Sequence, residues 1–324
     1  MNKILLITLL ATTFFARPVL VAAQAIDAVT SESSELGVFP ATAFLKIQQG
    51  GSATHTITLE NTSAHTIRVA PRIVDFRSDN RTGTPLLTES TTFQYLEGIT
   101  DPNKLDTLLL QPKEKAALKL AFTIPSNAPS KEYPLTILFE TTPDVPQPVV
   151  GAGAGIKTVI GSNLVVLITN TQEAPTLLSV SQLKTASVHD SFAGISFTPV
   201  VKNSSFASSV ASSSAQIKNW RGKVVQTFEG MPVVVLGASS REIQTLPSNS
   251  DTPVAFEYKP SYLLGWYTLE FTVQTGLSTA PDSVTATRIV FALPFAVIAV
   301  LFSVIASLLY FGYKKGLFTH LRSI

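Results

Sequence analysis

Apolar and polar residues alternate one for one in segment after segment of this chain, a spacing that no helix can use. Ala53, His55, Ile57 and Leu59 share one parity; Thr54, Thr56, Thr58 and Glu60 share the other. Period two with β-branched residues predicts a half-buried strand. Gly50-Gly51 predicts a turn before it, and Asn61-Thr62-Ser63 a turn after it. Ile67 and Val69 resume the alternation. Pro71 interrupts it, and Val74 and Phe76 fall on the opposite parity, which predicts a bulge or an edge. Leu118–Ile124 and Leu135–Phe139 alternate again, while Leu164–Thr169 is apolar on both parities, as a central strand is. A second set follows the polar step at 170–175. It comprises Ile195 and Phe197, Val233 and Val235, Val254, Phe256 and Tyr258, and finally Tyr267, Leu269, Phe271 and Val273. Both sets place an Asn-Thr-Ser or Asn-Ser-Ser step after an early strand, at Asn61 and Asn203. The expectation is an all-β chain of two β-sandwich domains in tandem, over 26–170 and 171–276.

The two ends read differently. Lys3, the uncharged run Ile4–Ala16 and the close at Ala23-Gln24-Ala25 predict a secretory signal peptide over 1–25. Near the other end Ile289–Tyr313 carries no charge and exceeds the roughly 20 residues that a bilayer demands. The expectation is a C-terminal transmembrane α-helix over 289–313. It would follow a polar juxtamembrane spacer at 277–288 and precede a basic cytoplasmic tail at 314–324, where Lys314, Lys315 and Arg322 stand. That topology predicts a single-pass cell-membrane protein with its sandwiches outside. Without the five basic residues of the two ends, nineteen basic face twenty-two acidic residues, a balance of about −3. Such a surface excludes a nucleic-acid partner. The chain has no cysteine, so each core must suffice without disulfides.

The residues offer little for chemistry. His55, His65, His189 and His320 show no metal-ligand spacing, and no serine sits in a nucleophile elbow. Asp75 and Asp79 flank Arg77, which reads as a solvated loop. The reading is therefore non-enzymatic, with no catalytic residue, cofactor or metal. Exposed aromatics are the better candidates for partner contact: Trp220 and Arg221 at a predicted hairpin tip, and Phe93 and Tyr95 in the polar segment 77–106.

The stretch "FPATAFLKIQQGGSATHTITLENTSAHTIRVAPRIVDF" and the later "KPSYLLGWYTLEFTV" carry a family likeness. They resemble the two Ig-like domains of bacterial WxL-interacting surface proteins and, more distantly, the first domain of pilus chaperones. The resemblance implies a membrane-anchored surface protein whose tandem Ig-like sandwiches bind cell-wall polymer or a partner surface protein. The alternative it implies is a chaperone-like assembly factor for surface structures, acting by β-strand addition.

Overall fold

The computed structural model describes residues 35–97, 99, 101, 105–143, 158–171, 177–246, 252–275 and 283–314. The signal-peptide region, most of the domain step at 170–175 and the tail beyond Lys314 lie outside them. Leu36–Ile324 forms one compact unit that holds two β-sandwiches, each with its own core.

In the first sandwich one sheet runs β1 (Leu36–Phe39), β3 (Ser52–Asn61), β7 (Lys115–Thr123). The facing sheet runs β2 (Thr42–Gln48), β9 (Thr158–Thr169), β8 (Lys131–Pro143), β4 (Ile67–Ser78), with β5 (Pro85–Leu87) and β6 (Leu108–Leu110) on the outer edge of β4. Ile57, Leu59, Phe122, Ile137, Phe139, Leu164 and Val166 meet between the sheets. The expected alternation places Ile57 and Leu59 inside. The turn at Gly50, φ 76°, joins β2 to β3, but the two strands go to opposite sheets. The opening strand is itself split: β1 lies antiparallel to β3, and after the cis Phe39–Pro40 peptide β2 lies parallel to β9.

The second sandwich repeats this plan. β10 (Leu178–Lys184) pairs antiparallel with β12 (Ile195–Asn203), which also takes β15 (Ser240–Glu242) and β16 (Phe256–Tyr258). The facing sheet runs β11 (Val188–Asp190), β18 (Ser283–Leu293), β17 (Gly265–Thr275), β13 (Ser209–Asn219), β14 (Val224–Val235), with β11 parallel to β18. Phe197, Phe256, Phe271, Ile217 and Leu269 fill its core.

Two expectations need correction. β4 pairs with β8 from Ile67 to Asp75 in unbroken register, so the parity change at Pro71 is not a bulge. Val74, Phe76, Leu138 and Val165 are buried yet belong to neither core. Phe76 and Val165 line a cavity of about 290 Å³ shared with Met231–Leu236 of the second sandwich. The outer face of this sheet is thus covered around Phe76 and Val165, which is why apolar residues stand on both parities there. Pro71 falls between the stretches of β4 that β6 and β5 cover, and its carbonyl accepts from Leu105 N at 3.4 Å. An amide is least missed there.

The second correction concerns the C-terminal apolar run, which is not one helix. Ser283–Leu293 is a strand paired with β17 from Ser283 to Ala292, so residues 283–288 are not a spacer and Ile289–Leu293 are not membrane helix. Pro294 ends the strand, and the helix α1 spans only Phe295–Lys314, closing on a lysine. Among the described residues no helix is long and apolar enough to cross a membrane, and this overturns the single-pass placement in the cell membrane.

Candidate functional site

The site is built from three pieces: a repeated asparagine turn, the joint between the sandwiches, and an open stretch of β9. The asparagine turn of the second sandwich holds the loops of the joint. Asn61 and Asn203 are fully buried at the ends of β3 and β12. Asn203 Nδ2 donates to the carbonyls of Ala207 (2.8 Å) and Val235 (3.0 Å), and its Oδ1 accepts from Ser205 N and Oγ. Asn61 Nδ2 donates to His65 O (2.8 Å) and Leu110 O (3.0 Å), and its Oδ1 accepts from Ser63 N and Oγ. In both, the serine hydroxyl donates to the same carbonyl four residues beyond the asparagine. A left-handed residue bonds each turn: Lys113 (φ 63°) donates its N–H to Asn61 O, and Ala238 (φ 54°) donates its N–H to Ser205 O. An isolated buried amide would be costly, but here every donor and acceptor is used.

At the joint, the loops tied by Asn203 meet Glu132 of β8. Its carboxylate accepts from Ser208 N and, at 3.1 Å, from Gly237 N. Glu132 is only 7% exposed. Burial pushes its carboxyl up from the ordinary value, against the pull of these hydrogen bonds. Beyond it, the tip of the β4–β5 hairpin docks on β15. Glu242 N donates to Arg81 O at 2.7 Å, and Ser240 N to Asn80 Oδ1 at 3.1 Å. Arg81 Nε and Lys184 Nζ both reach Glu242 Oε1, at 3.4 and 2.7 Å. The tip is shaped by Asp79, whose carboxylate accepts from the amides of Arg81, Thr82 and Gly83 and from Thr82 Oγ1. The Thr82 hydroxyl above all holds the Asp79 carboxyl well below the usual carboxylate range. Asp75 anchors the same segment by accepting from the hydroxyls of Thr91 and Thr92. The acid pair flanking Arg77 therefore organises a loop.

The third piece is the open edge. β8 covers β9 along its whole length, from Thr158 to Ile168. On the other side β2 covers β9 only from Asn163 to Thr169, because β1 has left for the opposite sheet. Among the described residues no strand pairs with Thr158–Ser162 on that side. Exposed apolar groups mark its neighbourhood: Val159 at 47% on the strand itself, and Phe39 at 61% at the end of β1, beside β9. Ser162 Oγ donates to Pro40 O at 2.7 Å and holds the crossing in place.

The aromatics singled out from the sequence part company. Phe93 is 2% exposed and packs edge-on against Tyr95, Phe122 and Tyr133, inside the first sandwich. Tyr95 lies half-buried beside it, and burial with Tyr95 as neighbour pushes the Tyr133 hydroxyl up to about 12. Trp220 is 63% exposed on the β13–β14 hairpin, with the Arg221 guanidinium 4.5 Å from its ring centre. Asn219 Oδ1 sets the turn by accepting from Arg221 N and Lys223 N. Trp266 is exposed too, its ring 4.3 Å from that of Phe291, a second aromatic that sequence reading missed. Its signal was the alternation of β17, in which Trp266 is the polar-side residue. His55 lies half-buried in β3, and burial holds its imidazole below the ordinary value. His189 Nε2 lies 3.1 Å from Thr185 Oγ1. Among the described residues, no group of histidines and acids is placed to hold a metal ion.

No family model matches the chain, so the likeness to WxL-interacting proteins gains no support from one. No curated protein matches it either. Among the solved structures it resembles are fimbrial chaperones, at low identity. A chaperone–tip adhesin complex of CFA/I fimbriae biogenesis is 10% identical, over 79% of this chain and 98% of that one, with a TM-score of 0.42. The class 5 fimbriae chaperone CfaA is 9% identical, over 80% and 100%, at 0.40. The archaic chaperone–tip subunit complex CsuC–CsuE of Acinetobacter baumannii is 12% identical, over 80% and 99%, at 0.39.

Proposed function

We propose that this protein binds another polypeptide by taking it as an added strand along Thr158–Ser162 of β9. It is the chaperone-like alternative, not the wall-anchored reading, that this surface suits. The observation that carries it is the open edge: a strand whose far side is fully paired and whose near side offers main-chain groups over five residues. Main-chain hydrogen bonds would give affinity, and Val159 and Phe39 would select apolar residues at alternate positions of the incoming chain. A protein strand matches such an edge better than a cell-wall polymer, which lacks the repeating donor and acceptor of a β-chain. A second contact surface, for a folded protein partner, is the β13–β14 hairpin, because Trp220 and Arg221 stand together in solvent there.

The test is amide exchange across β9 with a short alternating Val-Thr peptide, against the same peptide interrupted by proline. Strand addition slows exchange at Thr158–Ser162 with the first peptide only. The substitution Val159→Lys, a charge on the edge, abolishes that protection, while Val210→Lys on the second sandwich leaves it. Unchanged exchange at saturating peptide refutes the proposal.

A further inference from the structure

Each sandwich has a core of its own, separate from the joint. The joint is built from parts that are each held by bonds within their own sandwich. A buried carboxylate is expensive unless its acceptors are filled. Glu132 is filled by amides from two separate loops of the second sandwich, at Ser208 and Gly237. Those loops are already tied to each other by Asn203, which bonds Ala207 and Val235. They also approach so closely that a β-carbon at Gly237 would lie 2.5 Å from Phe206 O. The hairpin is also held from within. Asp79 closes its tip internally, and Gly83 takes φ 81° while Arg241 lies over it. A β-carbon at Gly83 would lie 2.6 Å from Arg241 Cζ, and Arg241 is held from behind by Val234 O at 2.9 Å. The Glu132 contact and the hairpin contact flank a cavity of about 420 Å³, lined by Asn80, Glu132 and Gly237 among others. One contact alone would leave a pivot; two contacts on different elements, β8 and the β4–β5 hairpin, remove it.

We propose that Glu132 and the β4–β5 hairpin form a two-point lock that makes the tandem sandwiches a single rigid body. The lock sets the angle between them. Tandem domains in one chain move relative to each other unless their interface prevents it, so rigidity here is a property that has to be built. The inference is independent of what binds at β9. If both hold, the open edge and the Trp220 hairpin are presented to partners in a constant relation.

The chain has no cysteine, so Thr56→Cys and Gln274→Cys in the full chain carry two spin labels, one per sandwich. Pulsed dipolar spectroscopy then reads the distance distribution between them. The lock predicts one narrow distribution, broadened roughly twofold or more when Glu132→Ala and Gly83→Val are added and far-UV circular dichroism is unchanged. A broad distribution in the labelled parent overturns the lock, as does an unaltered width in the folded variant. Should that double variant not fold, Glu132→Gln is decisive under the same criterion, since it keeps the shape but sets an NH2 donor against one of the two amides.

Discussion

Asn61 and Asn203 show how much a single residue type can be asked to do. Each satisfies a tight turn and ties it to a strand from elsewhere in its sandwich. Neither can be replaced by an apolar residue without orphaning buried carbonyls and amides. Asn203→Ala and Asn61→Ala should each cost about 2–4 kcal/mol, read from urea unfolding of the full chain. A cost below about 1 kcal/mol would mean that water takes over the same bonds. Both asparagines head N-x-[ST] triplets, but buried side chains with every bond used make poor modification acceptors. The repeat also shows where the sandwiches diverge. Matching Val235 to Leu110 and Ala238 to Lys113 sets Gly237 against Pro112. Gly237 gives its amide to Glu132, and a proline has none to give. The first sandwich lacks at this position the donor that the second uses to dock.

Strand β4 and the C-terminal apolar run are the elements for which sequence pattern and structure disagree. In β4 the parity of Ile67 and Val69 faces the core; Val74 and Phe76 take the other parity, and Phe76 lines the cavity shared with the second sandwich. A bulge reading expects Val74 to sit in the first core; the structure expects it to belong to the covered outer face. Val74→Asp should therefore destabilise by about 3 kcal/mol, and Phe76→Ala should loosen the tandem while leaving the first core packed. Near-ultraviolet circular dichroism of the Phe93–Tyr95–Tyr133 cluster would report the core, and the spin-label width the tandem. In the C-terminal run, hydrophobicity alone cannot tell a strand in a sheet from the start of a helix. Ile289–Leu293 has β-branched or aromatic residues at three of five positions, and β17 was available to pair with it. Amides of Ile289–Ala292 should exchange as slowly as those of Leu269–Val273. Fast exchange there would contradict the strand.

At the scale of the whole molecule the joint couples stability to pH, with opposite signs from different carboxylates. Glu242 is held below its ordinary value, first by its hydrogen bond from Lys184 and then by the charges of Lys184 and Arg81. A depressed acid stabilises the folded chain above its unfolded value and loses that contribution as pH falls through the folded value. Glu132 is raised by burial, with Arg77 and Lys131 lining the same cavity. Between its ordinary and its raised value the folded chain keeps a proton that the unfolded chain has released, so this contribution shrinks as pH rises. Glu132→Gln should flatten that part of the stability profile, and Lys184→Met should flatten the acid limb. Urea midpoints across the mildly acidic range would show it, and profiles parallel to the parent would refute the assignments.

Alternation, turn residues and the absence of cysteine were enough to specify a strand-built chain of two sandwiches. They also placed Ile57, Leu59, Leu269 and Phe271 inside and Trp220 at a hairpin tip, because period two acts locally and each core selects one parity. The asparagine steps were visible as a repeat, though not as a network. What only the tertiary structure decided lies between elements far apart in the chain. Phe93 is core because Tyr133 and Phe122 surround it, and β9 has an open edge because the first strand changes sheets at Phe39–Pro40. Glu132 is buried because two loops more than seventy residues away bring it their amides. Burial of an outer face, the partner of a carboxylate and the vacancy beside a strand depend on which surfaces meet, and no local pattern of residues records that.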